Sequence, residues 1–155
     1  HGIATAAGCQ LVGACDLAVA SEDARFATSG INVGLFCSTP SVPVSRNIPR
    51  KQAMELLLTG EFIDANTALK WGLINRITSR DKLDAEVQKL ADAILSKSSV
   101  AVFTGKKMFY KQLEKNMEEA YAFAGEIMAC NMMAEDVNEG IDAFVKKRTA
   151  VWKGK

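Results

Sequence analysis

The run Ala6-Ala7-Gly8-Cys9-Gln10-Leu11-Val12-Gly13-Ala14-Cys15-Asp16-Leu17-Ala18-Val19-Ala20 constrains the fold of this chain more than any other stretch. A turn of small residues, Ala6-Ala7-Gly8, leads into a helix, and the helix gives way to a short apolar strand that ends at Ala20. The first backbone N–H groups of such a helix have no partner within it, so they favour negative charge in front of them. Alanine and glycine allow a ligand to come close to those groups. The arrangement suits an oxyanion that develops on a carbonyl during a reaction. At Gln10, where a carboxylate would serve best, the chain carries an amide that takes no proton.

Bulk properties narrow the classes of function. With 155 residues, 48% hydrophobic and 24% charged, the chain has ordinary globular composition and enough length for a hydrophobic core. The formal charge is +1 and no polybasic run occurs, which argues against nucleic acid as a partner. Cys9, Cys15, Cys37 and Cys130 form no Cys-x-x-Cys pair, and His1 is the only histidine. That speaks against a metal site, against Ser/His or Cys/His nucleophilic machinery and for a reducing compartment. Cys9 and Cys15 read as small buried residues. No apolar run approaches the ~18 residues of a membrane span. The start at His1-Gly2, without a targeting segment, reads as a cut through a longer protein.

The first third reads as short strands between short helices. Leu17–Ala20 and Arg25–Ala27 are expected strands around a solvated turn at Glu22 and Asp23, and Asp16 is expected to make a structural hydrogen bond. Gly30–Pro40 reads as a loop, and Pro40, Pro43 and Pro49 argue against one continuous helix. Gln52–Thr59 reads as a helix stopped by Gly60, and Asp64 as the N-cap of a helix over Ala65–Trp71 that Gly72 ends. Leu73–Ile77 is an expected last strand. Helices follow over Asp81–Leu95, Val100–Leu113, Glu118–Met133 and Val137–Arg148. In the first of these Leu83, Val87, Leu90, Ala91 and Ile94 share a face. Met117, Met128, Met132 and Met133 exceed what one thin helical layer would hide, which leaves subunit contacts and simple core filling as alternatives.

Several segments, in order, resemble the crotonase (enoyl-CoA hydratase/isomerase) superfamily. Gly2–Leu11 resembles its oxyanion-helix segment, and Cys15–Ala20, Phe26-Ala27 and Gly34 follow in register. Ala53-Met54-Glu55-Leu56-Leu57-Leu58-Thr59-Gly60 is similar to its AMEMVLTG helix, with Ala68, Trp71, Gly72 and Leu73 in a further motif. Glu139-Gly140-Ile141-Asp142-Ala143-Phe144 with Lys147-Arg148 resembles its closing EGxxAFxxKR signature. The resemblance covers the family's C-terminal half. It implies an α/β fold: the C-terminal part of a ββα spiral over 1–78, then an all-helical trimerisation and coenzyme A contact region over 79–155. It also implies a mitochondrial setting in fatty-acid metabolism, and an acyl-CoA thioester as substrate or ligand with no separate cofactor. The implied partners are further copies in a homotrimer or hexamer.

Residue by residue, the resemblance places an oxyanion-binding N–H at Ala7 and the two glutamates of family hydratases at Gln10 and Gly30. Those glutamates hold a water and move its protons; each such positioned group contributes about 10²- to 10⁴-fold. An amide at Gln10 still orients a water, whereas Gly30 offers only backbone. Gly34 falls on the pocket loop, where the family's Pro-Gly-Ala-Gly-Gly is Cys37-Ser38-Thr39-Pro40-Ser41 here. Phe144 and Lys147 fall where family members pack the adenine and pair with coenzyme A phosphates. A core aromatic and a solvated lysine are the structural alternatives. The second oxyanion N–H belongs to the family's N-terminal half, so this chain by itself is expected to lack a complete acyl-CoA pocket and to self-associate through exposed sheet edges. Two functions stay open: a divergent hydratase-like enzyme that uses the oxyanion site without the glutamate pair, and a catalytically silent acyl-CoA binder that influences lipid metabolism.

Overall fold

The computed structural model describes residues 1–155. They form two compact units, His1–Gln88 and Lys89–Lys155, and the boundary falls inside a helix.

The first unit alternates short strands with short helices. Strand β1 (Ile3–Thr5) turns into helix α1 (Ala7–Ala14), followed by β2 (Val19–Ser21) and β3 (Arg25–Ala27). A 3-10 helix over Ser29–Val33 leads to α2 (Ser38–Asn47) and α3 (Arg50–Thr59). The unit continues with β4 (Ile63–Asp64), α4 (Ala65–Trp71) and β5 (Arg76–Thr78), and α5 (Leu83–Leu95) begins after a second 3-10 turn at Arg80–Lys82. β1 pairs in parallel with β3, Thr5 opposite Ala27, and β4 adds to β3 in antiparallel fashion. β2 pairs in parallel with β5, Val19 opposite Arg76. The core between these layers is made of small and branched side chains: Cys9, Ala20, Phe26, Val44, Ile48, Ala53, Leu56, Ala68 and Ile74. Small residues let three-residue strands and one- to three-turn helices pack closely enough to bury any core at all.

The expected helix ends hold where a cap residue marks them. The Thr67 N–H donates to the Asp64 carboxylate at 2.7 Å, and Gly60 and Gly72 close their helices at φ of +63° and +93°. The prolines break the helix, as expected, but at a single point. α2 runs through both Pro40 and Pro43, and the only break falls at Ile48-Pro49. Pro40 lies in the first turn, where no N–H is required. Pro43 sits in the interior and gives up one helical bond. What holds it is tertiary: a Cβ on Gly13 would stand 3.3 Å from the Pro43 Cβ, so α1 and α2 touch at this point. The Asn47 amide then donates to the Pro43 and Gly13 carbonyls at 2.7 and 2.8 Å. The last strand is displaced as well; Leu73 and Ile74 are buried in the turn before it, and pairing begins only at Arg76.

The second unit contains the end of α5, then α6 (Ser99–Gln112), α7 (Met117–Met132) and α8 (Glu135–Val145). Ser98 and Asn116 cap α6 and α7 by accepting from Ala101 N–H and Glu119 N–H. Within this unit only Ser98, Asp136 and Ala143 are buried. The expected shared face of α5 is half-buried at Leu90 and Ala91 and exposed at Ile94. Met117, Met128, Met132 and Met133 are all more than half exposed, so simple core filling does not describe them. The C-terminal tail is pinned to Asp136, whose carboxylate accepts from Ser98 Oγ and from the N–H groups of Lys153 and Gly154. No helix is long and apolar enough to cross a membrane.

Candidate functional site

The carboxyl ends of a parallel strand pair are where α/β proteins usually place ligands, because the following turns and helix starts converge there. In the first unit those ends are Thr5 and Ala27, which stand opposite each other. Ala6 donates its N–H to the Ala27 carbonyl at 3.1 Å, and the Thr5 and Ser29 hydroxyls meet at 2.7 Å. The chain positions expected to matter therefore leave from one place: Ala7 and Gln10 on α1 after β1, Gly30 on the 3-10 segment after β3 and Gly34 at its end.

Ala6 carries the sharp bend, with φ of +47° and ψ of −111°. For a residue with a side chain this conformation costs about 1–3 kcal/mol and persists only where the surroundings hold it. It is the feature sequence reading missed; the run of small residues signals a turn but not which residue bears the strain. The bend starts α1 abruptly at Ala7. The first helical bond is Gln10 N–H to the Ala6 carbonyl, 2.9 Å, so the N–H groups of Ala7, Gly8 and Cys9 precede the helical ladder. No side chain caps them and no acidic residue lies in the first turn. Ala7 and Gly8 are exposed, so the positive end of α1 presents backbone donors to solvent.

Gln10 is half-buried on α1. Beneath it Cys9 is fully buried, and burial together with the neighbouring Cys37 pushes its thiol up to about 11 from an ordinary 9.0. Cys9 is a neutral packing residue at neutral pH. Cys15 is exposed, contrary to the buried position expected of it: α1 ends one residue earlier and Cys15 lies beyond its packed face.

Gly30 has no room for a side chain. A Cβ there would lie 2.6 Å from the Leu35 carbonyl oxygen and 2.8 Å from Cys37 Sγ. The Leu35 N–H donates to the Gly30 carbonyl at 3.0 Å, which folds the loop back onto this position. Asn32 Nδ2, donating to the Gly60 carbonyl, and the buried Thr28 hydroxyl, donating to the Leu56 carbonyl at 2.8 Å, tie the same segment to the end of α3. Gly34 closes the 3-10 turn at φ of +82° with open space around it. Instead of a plain loop, Gly30–Pro40 holds most of a 3-10 helix and the start of α2.

Phe144 and Lys147 belong to the second unit. Phe144 is 84% exposed, which removes the core-aromatic alternative. Lys147 stands at φ of +52° just after α8, and Arg148 N–H reaches back to the Ala143 carbonyl at 3.0 Å. This is a Schellman-type stop in the position that usually holds glycine. The neighbouring signature residues are structural. Arg148 binds both oxygens of Glu139 at 2.6 and 2.9 Å, and holds the Glu139 carboxyl down at about 2. Gly140 lies against the Trp152 ring, where a Cβ would come within 3.2 Å. A cavity of about 330 Å³ beside Phe144 includes Ile141, Trp152 and Asn131, whose buried Oδ1 has no hydrogen-bond donor.

A strained small-residue turn on a parallel strand pair, an uncapped helix start and the closing Glu-Gly…Lys-Arg motif define a class. The chain belongs to the enoyl-CoA hydratase/isomerase family, whose profile matches residues 1–155. It is 50% identical over 152 residues to "Enoyl-CoA hydratase domain-containing protein 3, mitochondrial" of Mus musculus, covering 98% of this chain and 51% of that protein. A solved enoyl-CoA hydratase of Mycobacterium smegmatis superimposes with a TM-score of 0.96 at 56% identity, covering 98% of this chain and 59% of that one. The solved human enoyl Coenzyme A hydratase domain-containing protein 3 gives 0.94 at 49% identity, over 97% and 60%. The fold is the crotonase fold of these structures, and the chain spans about half the length of the curated relatives it matches.

Proposed function

We propose that the Ala7 turn holds the thioester carbonyl of an acyl-CoA and that the protein binds such thioesters without hydrating them efficiently. The observation that carries this reading is Gly30: the loop at Leu35 and Cys37 fills the space a second acid–base side chain would need. With an amide at Gln10, neither position moves a proton, while the backbone donors at Ala7 and Gly8 stay available to a developing oxyanion. Binding of coenzyme A at Phe144 and Lys147 is supported by the exposed aromatic face and by the orphan acceptor of Asn131, which suits a ligand N–H. The relatives' names support a mitochondrial setting, and fatty acyl thioesters as ligands are in keeping with it. The exposed methionines and Phe144 support assembly into a trimer or hexamer through the helical region.

The test follows loss of enoyl absorbance with crotonyl-CoA by the full-length counterpart, alongside calorimetric titration of butyryl-CoA. Binding with background turnover is the expected result. Turnover at the level of a hydratase that carries both glutamates would sink the reading and favour the divergent-enzyme alternative. Failure to bind either thioester would remove the site altogether.

A further inference from the structure

We infer that Thr5 and Ser29 are positioning residues: their bridged hydroxyls fix the Ala6-Ala7 bend against the 3-10 segment and so aim the Ala7 and Gly8 N–H groups. The inference rests on the acyl-CoA reading and names what keeps that site in shape. Thr5 is the last residue of β1 and Ser29 the first of the 3-10 segment, and their hydroxyl oxygens lie 2.7 Å apart. Ala6 and Ala7 follow Thr5 directly, and Gly30 follows Ser29. Backbone bonding between the two segments reaches Ala6, whose N–H donates to the Ala27 carbonyl at 3.1 Å. From there the start of α1 has no side-chain cap, and its first helical bond is made by Gln10. The hydroxyl pair carries the cross-link further along the partner segment, from Ala27 to Ser29.

The chemistry of the pair suits a clamp. Either hydroxyl donates while the other accepts, so the link survives rotation of either proton. Threonine is stiff at its first side-chain torsion, so a bonded Thr5 hydroxyl fixes the side chain against the backbone that enters the bend. Both residues are half-buried, where water replaces a lost partner less readily than at an open surface. The bend needs such a hold, since Ala6 at φ of +47° keeps a costly backbone only while its neighbours impose it. Without the link β1 and β3 still pair, but the bend gains freedom to swing. Donors that stabilise an oxyanion lose their effect when they drift from the place it occupies.

The experiment titrates the full-length counterpart with two ligands in a calorimeter: butyryl-CoA, and S-butyl-CoA, the thioether that lacks the carbonyl. The ratio of their dissociation constants reads the carbonyl contact and cancels what the coenzyme A moiety contributes. The unaltered protein should prefer butyryl-CoA. Thr5→Val keeps the shape of the side chain without its hydroxyl, and Ser29→Ala removes the partner. Each should lower the preference by about fivefold, the size of one hydrogen bond, and leave S-butyl-CoA affinity unchanged. Thr5→Ser, which returns the hydroxyl, should keep the preference of the unaltered protein. The Thr5→Val/Ser29→Ala double variant should lose no more than either single one, because all three lack the same bond. Should Thr5→Val fail to fold, Ser29→Ala, the smaller change, decides. Equal binding of the two ligands to the unaltered protein overturns the carbonyl reading and this inference with it. A preference that both single variants keep, whatever their melting temperatures, overturns the positioning role alone and leaves the pair structural. A parallel loss for both ligands does the same.

Discussion

At the scale of single residues, Ala6 and Lys147 hold backbone angles that a side chain resists, and each occupies a hinge of the candidate chemistry. Replacing either by glycine removes the steric cost while keeping the turn. Ala6→Gly should raise stability by about 1 kcal/mol, read as a higher melting temperature, and leave butyryl-CoA affinity unchanged. Lys147→Gly should also hold or raise the melting temperature, because glycine is the natural residue of that helix stop. If the ammonium meets a coenzyme A phosphate, the same variant weakens butyryl-CoA binding while free butyrate is unaffected. An unchanged affinity would reduce Lys147 to a solvated end of α8. The cysteines give a separate check. Cys15 and Cys130 are exposed and should alkylate quickly in the native protein, whereas Cys9 and Cys37 are buried and should react only on unfolding. Four rapidly labelled thiols, counted by mass, would contradict the packing under Gln10.

At the scale of elements, the 3-10 segment Ser29–Val33 with its return loop decides what the site can become. Gln10 sits near the positive start of α1, so a glutamate there is electrostatically welcome and Gln10→Glu should change stability by less than about 0.5 kcal/mol. Gly30→Glu is different in kind. The nearest obstacle is the Leu35 carbonyl, which is backbone and cannot rotate aside, and the Cys37 sulfur lies just behind it. Gly30→Glu should therefore lower stability by about 1–3 kcal/mol, and Gly30→Ala should already show part of that loss. The double variant should not recover hydration of crotonyl-CoA. A double variant that folds with the wild-type melting temperature and hydrates crotonyl-CoA would show that the loop yields.

At the scale of the whole molecule, lowered carboxyls occur in both units, Asp23 and Asp64 in the first and Asp136, Glu139 and Asp142 in the second, where they form one cluster of tail and helix contacts. The Glu139 carboxyl is held at about 2 by hydrogen bonds from Arg148 and the Val151 N–H, and Asp136 is held below its usual range by Ser98 and the N–H groups of Lys153 and Gly154. Asp142 is lowered likewise by Lys146 and Arg148. A carboxylate whose folded value lies below its unfolded one stabilises the fold above the unfolded value and stops doing so as pH falls through the folded one. The contribution from Glu139 is thus complete at neutral pH and fades between about 4.5 and about 2. Melting temperatures taken from pH 7 down to pH 2.5 should drop most steeply in that window. Glu139→Gln should melt lower than wild type at pH 7 and flatten the slope; a parallel curve for the variant would show that other carboxylates carry the acid response.

Much was determined by sequence alone, and always by local chemistry. Asp64, Gly60 and Gly72 mark helix ends because capping is settled within one turn of chain. The order of motifs from Gly2–Leu11 to Arg148 sufficed for the family, and the sequence alone shows that neither Gln10 nor Gly30 carries a proton-transferring side chain. What only the tertiary structure decided depends on neighbours remote along the chain. Pro43 continues a helix because Gly13 and Asn47 meet it from another element. Gly30 is a filled position and not simply an empty one because Leu35 and Cys37 fold back onto it. Ala6 bears its strain because β1 and β3 hold the turn from both sides. Exposure is the last such property: Phe144 on α8 and Phe103 on α6 differ little in pattern from core aromatics, and only packing leaves both rings facing water.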